Sequence, residues 1–243
     1  MTESLKQESS RNPEYNHASF EGRRNFLRFL LKYIAVPLLA KVDSVLGIEN
    51  IPTEGPAILM MNHIAFIDPL IMVHVTPRNI VPLSKIEAYK IPFFGIFPKI
   101  WQAIPVKRDD VERNTIKKIF DVLEAGEIIL IAPEGTRNKA LQKGKEGIAY
   151  LASRSAVPII PVAIEGTQNF VAPRFSKPWR GPGITVRYGH PFHYLAQYRR
   201  ANRNELREMT DEAMYVLAAM LPEERRGVYS DLTKASKNTI EWV

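Results

Sequence analysis

Between residues 23 and 221 the chain alternates short unbroken apolar runs with stretches in which apolar residues recur every three or four positions. The run Ala57-Ile58-Leu59-Met60-Met61 is the length of a strand and has no polar member, which predicts a strand buried on both faces. A helix is expected over 70–75, ended by Pro77, followed by strands over 79–83 and 103–106. The clearest helix carries Ile116, Ile119, Phe120 and Leu123 at i, i+3, i+4 and i+7 and is closed by Gly126. Further strands are expected at 127–132, 158–164 and 184–188, with helices over 144–154 and 204–221; the last puts Leu206, Met209, Ala213, Val216, Leu217 and Met220 on one face. This alternation predicts an α/β fold, a mixed, largely parallel sheet flanked by helices.

The ends read differently. Residues 1–22 are polar and without period, which predicts a mobile tail. Residues 23–45 mix Phe26, Leu27, Phe29, Leu30, Leu31 and Ile34 with Arg23, Arg24, Arg28, Lys32 and Lys41, a basic amphipathic helix or a pair broken at Pro37. Such a segment suits a membrane-binding element lying in an anionic interface, and it equally suits a helix packed on the domain. Residues 46–243 form the remaining domain, opening with a short strand and turn over 47–52. Residues 85–101 are rich in aromatics, including Tyr89, Phe93, Phe94, Phe97 and Trp101, and are interrupted by Pro92, Gly95 and Pro98. They suit core, an acyl-chain pocket or a bilayer contact. No run reaches the ~18 apolar residues of a spanning helix, and the polar start predicts no signal peptide.

Composition narrows the chemistry. With 0 cysteines among 243 residues, disulfides, thiolate nucleophiles and cysteine metal sites are excluded. A net charge of +7 calls for anionic partners. Nucleic acid is not expected, because no aromatic-basic RNA motif or zinc spacing appears.

Three stretches carry candidate chemistry. Asn62-His63-Ile64-Ala65-Phe66-Ile67-Asp68 places a histidine and an aspartate five positions apart, directly after the apolar run and before Pro69. On a straight helix that spacing leaves the two side chains about 140° apart, so they meet only across a bend. A strand-to-helix turn provides it, with Asp68 as N-cap and Pro69 as the first helical residue. There an imidazole oriented by a carboxylate acts as a general base; the plainer alternative is a capping aspartate and a loop histidine. Arg108 ends one expected strand and Arg137 follows another within Pro133-Glu134-Gly135-Thr136-Arg137. Guanidinium forks match phosphate oxygens and a glycine admits close backbone approach, so a phosphate between the arginines is the inference, against a surface ion pair for either alone. The nucleotide P-loop pattern is absent.

Together these stretches resemble the 1-acylglycerol-3-phosphate acyltransferase family of glycerolipid synthesis. Its Asn-His-x-Ser-x-x-Asp motif matches at Asn62, His63 and Asp68, with Ala65 in place of the serine; its Phe-Pro-Glu-Gly-Thr-Arg-Ser motif matches at Pro133 to Arg137, with Ala132 and Asn138 at its ends. An apolar segment with two prolines matches at Pro158 and Pro161, whereas a further motif is kept only at Arg108, with Gln102 and Lys107 departing from it. The resemblance implies His63 as general base, Asp68 holding its tautomer, and Arg108, Glu134, Gly135, Thr136 and Arg137 binding the phosphate of lysophosphatidic acid. Pro161 shapes the acyl or acceptor pocket. It implies no cofactor or metal, with acyl-CoA or acyl-carrier protein as co-substrate, and a peripheral enzyme on the cytoplasmic face of an anionic membrane. Other readings are a different lysolipid or lipid-linked acceptor, and a non-catalytic protein that binds anionic lipid.

Overall fold

The computed structural model describes residues 18–90, 95–107 and 113–243. The polypeptide opens with helix α1 (Ala18–Leu30), a wider π turn (Leu31–Ala35) and a short helix α2 (Val36–Leu39). Pro37 does not break the helical path. It lacks an N–H and crowds the preceding turn, and the wide turn immediately upstream accommodates it. The helical segment begins at Ala18 and ends at Leu39; strand β1 (Val42–Leu46) follows, so residues 42–45 belong to the sheet and not to the amphipathic element. Over 47–52, where a short strand and turn were expected, the turn is present as a short 3-10 helix and the strand is not.

Among the remaining elements the strands and helices expected from the apolar pattern are present, and a helix over 96–101 and strands over 192–194 and 240–242 were not expected. The full set is β2 (Ala57–Met61), α3 (Asp68–Val75), β3 (Ile80–Lys85), α4 (Ile96–Trp101), β4 (Ile104–Val106), α5 (Arg113–Glu124), β5 (Ile128–Ile131), α6 (Gly147–Ser155), β6 (Ile159–Glu165), β7 (Ile184–Tyr188), β8 (Phe192–Tyr194), α7 (Arg203–Ala219) and β9 (Ile240–Trp242). The sheet runs β1-β7-β6-β2-β5-β3-β4, with β8 and β9 attached beside β6. Central β2 pairs in parallel with β5 and with β6, and β3 joins β5 and β4 in parallel; β7 runs antiparallel to β6. The sheet is thus mixed and largely parallel.

Every residue of β2 is buried, and alternate side chains enter separate cores. Ile58 and Met60 join Ile119, Val122 and Leu123 of α5, Ile148 of α6 and Met209 and Leu217 of α7. Ala57, Leu59 and Met61 join Ile71 and Met72 of α3, Trp101 of α4 and Leu31 and Val36 of the N-terminal segment. Two helical layers therefore sandwich the sheet, which is why the strand needs no polar position.

The N-terminal helix packs on the domain by one face and leaves apolar side chains exposed on the other. Inward, Arg24 is fully buried: its Nε donates to the carbonyl of Trp101 at 3.1 Å and its Nη1 lies 3.3 Å from Glu127 Oε2. Outward, Phe26, Phe29, Tyr33, Ile34, Leu38 and Leu39 are exposed. Strand direction fixes where this segment meets the sheet. Because β1 is parallel to β7, β7 antiparallel to β6, and β6 parallel to β2, the chain enters β1 at the edge where β2, β5 and β6 end. Among the described residues no helix is long and apolar enough to cross a membrane.

Candidate active site

The chain leaves β2 through Asn62, whose buried side-chain amide donates to the carbonyl of Ile164 at 2.9 Å and accepts from its amide at 2.8 Å. This double bond to neighbouring β6 fixes the point at which residue 63 turns out of the sheet. The bend expected between His63 and Asp68 is there, and His63 Nδ1 lies 2.7 Å from Asp68 Oδ2. The same oxygen accepts the amides of Ile64 at 2.7 Å and Ala65 at 2.9 Å, while Oδ1 is buried without a partner. Asp68 therefore does not cap its helix. It is the first helical residue, with Ile67 in the cap position, and its carboxylate is turned back onto the preceding loop. The carboxylate is wholly buried and the His63 side chain 18% exposed. With Nδ1 engaged, Nε2 is the ring nitrogen left to meet a substrate.

Beside this loop, at the end of adjacent strand β5, stands the Glu134-Gly135-Thr136-Arg137 turn. The Asn138 amide donates to the carbonyl of His63 at 2.8 Å, and the His63 amide is bonded in return to the Glu134 carboxylate. Glu134 is buried and also accepts the Gln142 amide at 2.8 Å and Asn138 Nδ2 at 3.1 Å. Burial raises its pKa above the ordinary carboxylate value, against the pull of these donors and of the His63 charge. The structure thus turns Glu134 inward as a tie between two loops, while Thr136 and Arg137 stand exposed beside it. Gly135 has φ +64°, the left-handed region that suits glycine, and the Lys145 side chain runs over it, with Cε 3.4 Å from where a Cβ would stand.

The other assigned residues lie elsewhere. Pro161 is buried in β6 opposite Met60, packed against Gly189 and Met220. Arg108 lies outside the described residues, as do Phe93 and Phe94. Strand β4, which precedes Arg108, is three strands from β2, about 14 Å at the usual spacing. Sequence reasoning missed the anchoring by Asn62 and the placement of Lys145. The Lys143-Gly144-Lys145 run carries the same pairing of cation and glycine that singled out Arg137, and it was the available signal.

Physically, the site offers an imidazole held by a buried carboxylate, next to an exposed arginine on a glycine turn. Among the described residues no cluster of three or more His, Asp or Glu is placed to hold a metal ion.

Comparison with known proteins adds a lineage to this geometry. The chain is 35% identical over 130 residues to the 1-acyl-sn-glycerol-3-phosphate acyltransferase of Borreliella burgdorferi, covering 52% of each chain. It is 29% identical over 122 residues to the Bacillus subtilis protein of the same name, covering 50% of this chain and 61% of that one. The chain spans about half the length of the curated relatives it matches. The crystal structure of the 1-acyl-sn-glycerophosphate acyltransferase PlsC from Thermotoga maritima shares the fold, with a TM-score of 0.55 and 24% identity over 79% of this chain and 75% of that one. The family model described as Acyltransferase matches residues 44–165. That span starts within β1 and runs to the last residue of β6, enclosing both the His63–Asp68 loop and the turn bonded to it; the chain belongs to the Acyltransferase family.

Proposed function

We propose that the protein transfers a fatty acyl group from acyl-CoA or acyl-carrier protein to the free hydroxyl of lysophosphatidic acid, giving phosphatidic acid, as a peripheral enzyme on the cytoplasmic face of a membrane. The observation that carries this reading is the 2.7 Å contact of His63 Nδ1 with a buried carboxylate, which leaves Nε2 for the substrate. In the reaction Nε2 takes the proton of the acceptor hydroxyl as its oxygen attacks the thioester carbonyl carbon. Asp68 holds the ring in the Nδ1–H tautomer and stabilises the imidazolium that forms. Collapse of the tetrahedral intermediate breaks the carbon–sulfur bond, and the leaving thiolate receives the proton from Nε2. No covalent enzyme intermediate is needed.

Arg137, with Arg108, holds the phosphate of the acceptor and so presents its hydroxyl to His63; Gly135 and Thr136 shape the turn that carries Arg137. Glu134 acts through that turn as a positioning residue, and Pro161 shapes the acyl or acceptor pocket only from within β6, behind Met60. The exposed apolar face of α1 and α2 enters the sheet at the edge where the site lies, which supports acceptor delivery from an anionic lipid surface.

The test supplies purified protein with labelled oleoyl-CoA or acyl-carrier protein and a panel of lysophosphatidic acid, other lysophospholipids and phosphate-free acceptors. Phosphatidic acid is the expected product, and it disappears in His63→Ala. A preferred acceptor without phosphate contradicts the arginine assignment. No product from any pair overturns the enzymatic reading and leaves lipid binding alone.

A further inference from the structure

Strand β6 ends at the same edge as β2 and β5, and the segment it feeds, residues 166–183, is laced to the end of the N-terminal helices. The Ala172 amide donates to the carbonyl of Leu39 at 2.9 Å and the Arg174 amide to that of Leu38 at 2.8 Å. Lys41 Nζ reaches the carbonyl of Gly181 at 3.1 Å. Phe170 packs edge-on against Phe66, between His63 and Asp68, with ring centres 5.5 Å apart. The segment is therefore tied to both the helical face and the catalytic loop.

Its outer surface does not fit a soluble loop. Val171 is exposed and Phe175 is 78% exposed, next to the exposed Leu38 and Leu39. Phe175 also holds φ +68°, a conformation that bulky L residues rarely adopt, and keeps its ring in solvent while doing so. Packing within the fold does not account for a phenylalanine there. Around it stand Arg174, whose guanidinium lies 5.1 Å from the Phe175 ring centre, and exposed Lys177 and Arg180. Residues 166–183 contain no aspartate or glutamate. Apolar tips ringed by cations match a bilayer with anionic headgroups: the rings enter the acyl boundary and the cations remain among the phosphates.

We propose that residues 171–180 form a second lipid-facing element that extends the exposed face of α1 and α2 toward the active site, with Val171 and Phe175 inserting and Arg174, Lys177 and Arg180 engaging anionic headgroups. This rests on the membrane-surface reading of the N-terminal helices given above. Removing an inserted phenylalanine ring weakens partition by about tenfold, from the usual free energy of burying such a side chain.

The experiment measures co-flotation of the full chain with vesicles of phosphatidylglycerol and phosphatidylcholine, comparing wild type, Phe175→Ser and the helix variant Phe29→Ser/Leu38→Ser. The chain has 0 cysteines, so Phe175→Cys and, as a control, Lys234→Cys each accept one environment-sensitive label. The expected result is binding about tenfold weaker for Phe175→Ser and a shift to an apolar environment for the label at 175 but not at 234. Unchanged binding of Phe175→Ser, or a label at 175 that stays in water on bound vesicles, overturns the proposal. If the helix variant alone loses binding, the membrane reading stands without the loop; if wild type fails to bind, both fall. A shift without vesicles that grows with protein concentration identifies a second copy as the occupant and overturns it too.

Discussion

Replacing Asp68 by asparagine separates the chemical role of this residue from its structural one. One carboxylate oxygen serves His63 and the amides of Ile64 and Ala65. A carboxamide oxygen accepts the same bonds, so the loop keeps its shape, but the negative charge beside the imidazolium is gone. For unit charges about 4 Å apart at an effective dielectric near 20, that charge is worth about 4 kcal/mol. In the proposed reaction the imidazolium forms as the hydroxyl proton is taken, so the loss falls on the barrier, and at about 1.4 kcal/mol per decade it predicts kcat about a thousandfold lower with KM little changed. Stability falls less, by about 1–3 kcal/mol, because charge-assisted bonds become neutral ones. Steady-state kinetics on Asp68→Asn, His63→Ala and the double variant provide the check. The double variant is expected to be no slower than His63→Ala, since the two groups act as a unit. A folded Asp68→Asn that keeps activity within about fivefold of wild type, or losses that multiply in the double variant, refutes the shared role.

Other outcomes follow from neighbouring features. Arg137→Ala, at an exposed position, is expected to raise KM for lysophosphatidic acid by about 10- to 100-fold with a smaller effect on a phosphate-free acceptor, read from acceptor titrations. Arg24→Met removes the buried guanidinium that bonds Trp101 and Glu127, leaving Glu127 to the fields of Arg28 and Arg78, and is expected to cost about 1–3 kcal/mol in urea unfolding. Glu212 is buried, which opposes its charge, yet hydrogen bonds from Ser236, Thr239 and Asn238 outweigh burial and hold its pKa below the ordinary value. Because the folded pKa is depressed, its contribution is complete above the ordinary carboxylate value and is lost as pH falls through the folded one. Protection of residues 236–243 against hydrogen exchange, taken relative to the intrinsic rate at each pH, is therefore expected to fall as pH drops below about 4.5, and Glu212→Gln to abolish that dependence.

How far the molecule was legible in its sequence depends on where each residue finds its partners. Strands β2, β5 and β6 were plain because burial on two faces leaves no room for a polar position. Strand β1 was hidden by Asp43 and Ser44, an edge segment whose neighbour β7 lies about 140 residues away in sequence. The three-residue β8 and β9 pair with each other and with β6 and have too little pattern of their own. Helix α6 starts at Gly147, later than expected, and the Gly144 carbonyl that would open an earlier helix instead accepts the Arg207 guanidinium at 2.6 Å. Within the site, the His63–Asp68 contact was readable because both partners sit in one short stretch. The inward turn of Glu134 was not, since a carboxylate in a glycine turn reads equally as a ligand contact and as a loop tie.

Asn62 has a consequence for which substitutions this fold tolerates. Strand pairing between β2 and β6 stops at Met61 and Val162, and the main chain of Ile164 finds both its donor and its acceptor in an amide side chain. The carboxamide imitates one peptide unit, so the ladder gains a rung while the real backbone departs toward the reacting groups. Aspartate cannot donate at that rung, glutamine carries the same groups one methylene too far, and leucine strands two buried main-chain groups at about 1–3 kcal/mol each. Position 65 serves Asp68 through its amide and is constrained only by packing against the core, whereas position 62 admits a single side chain.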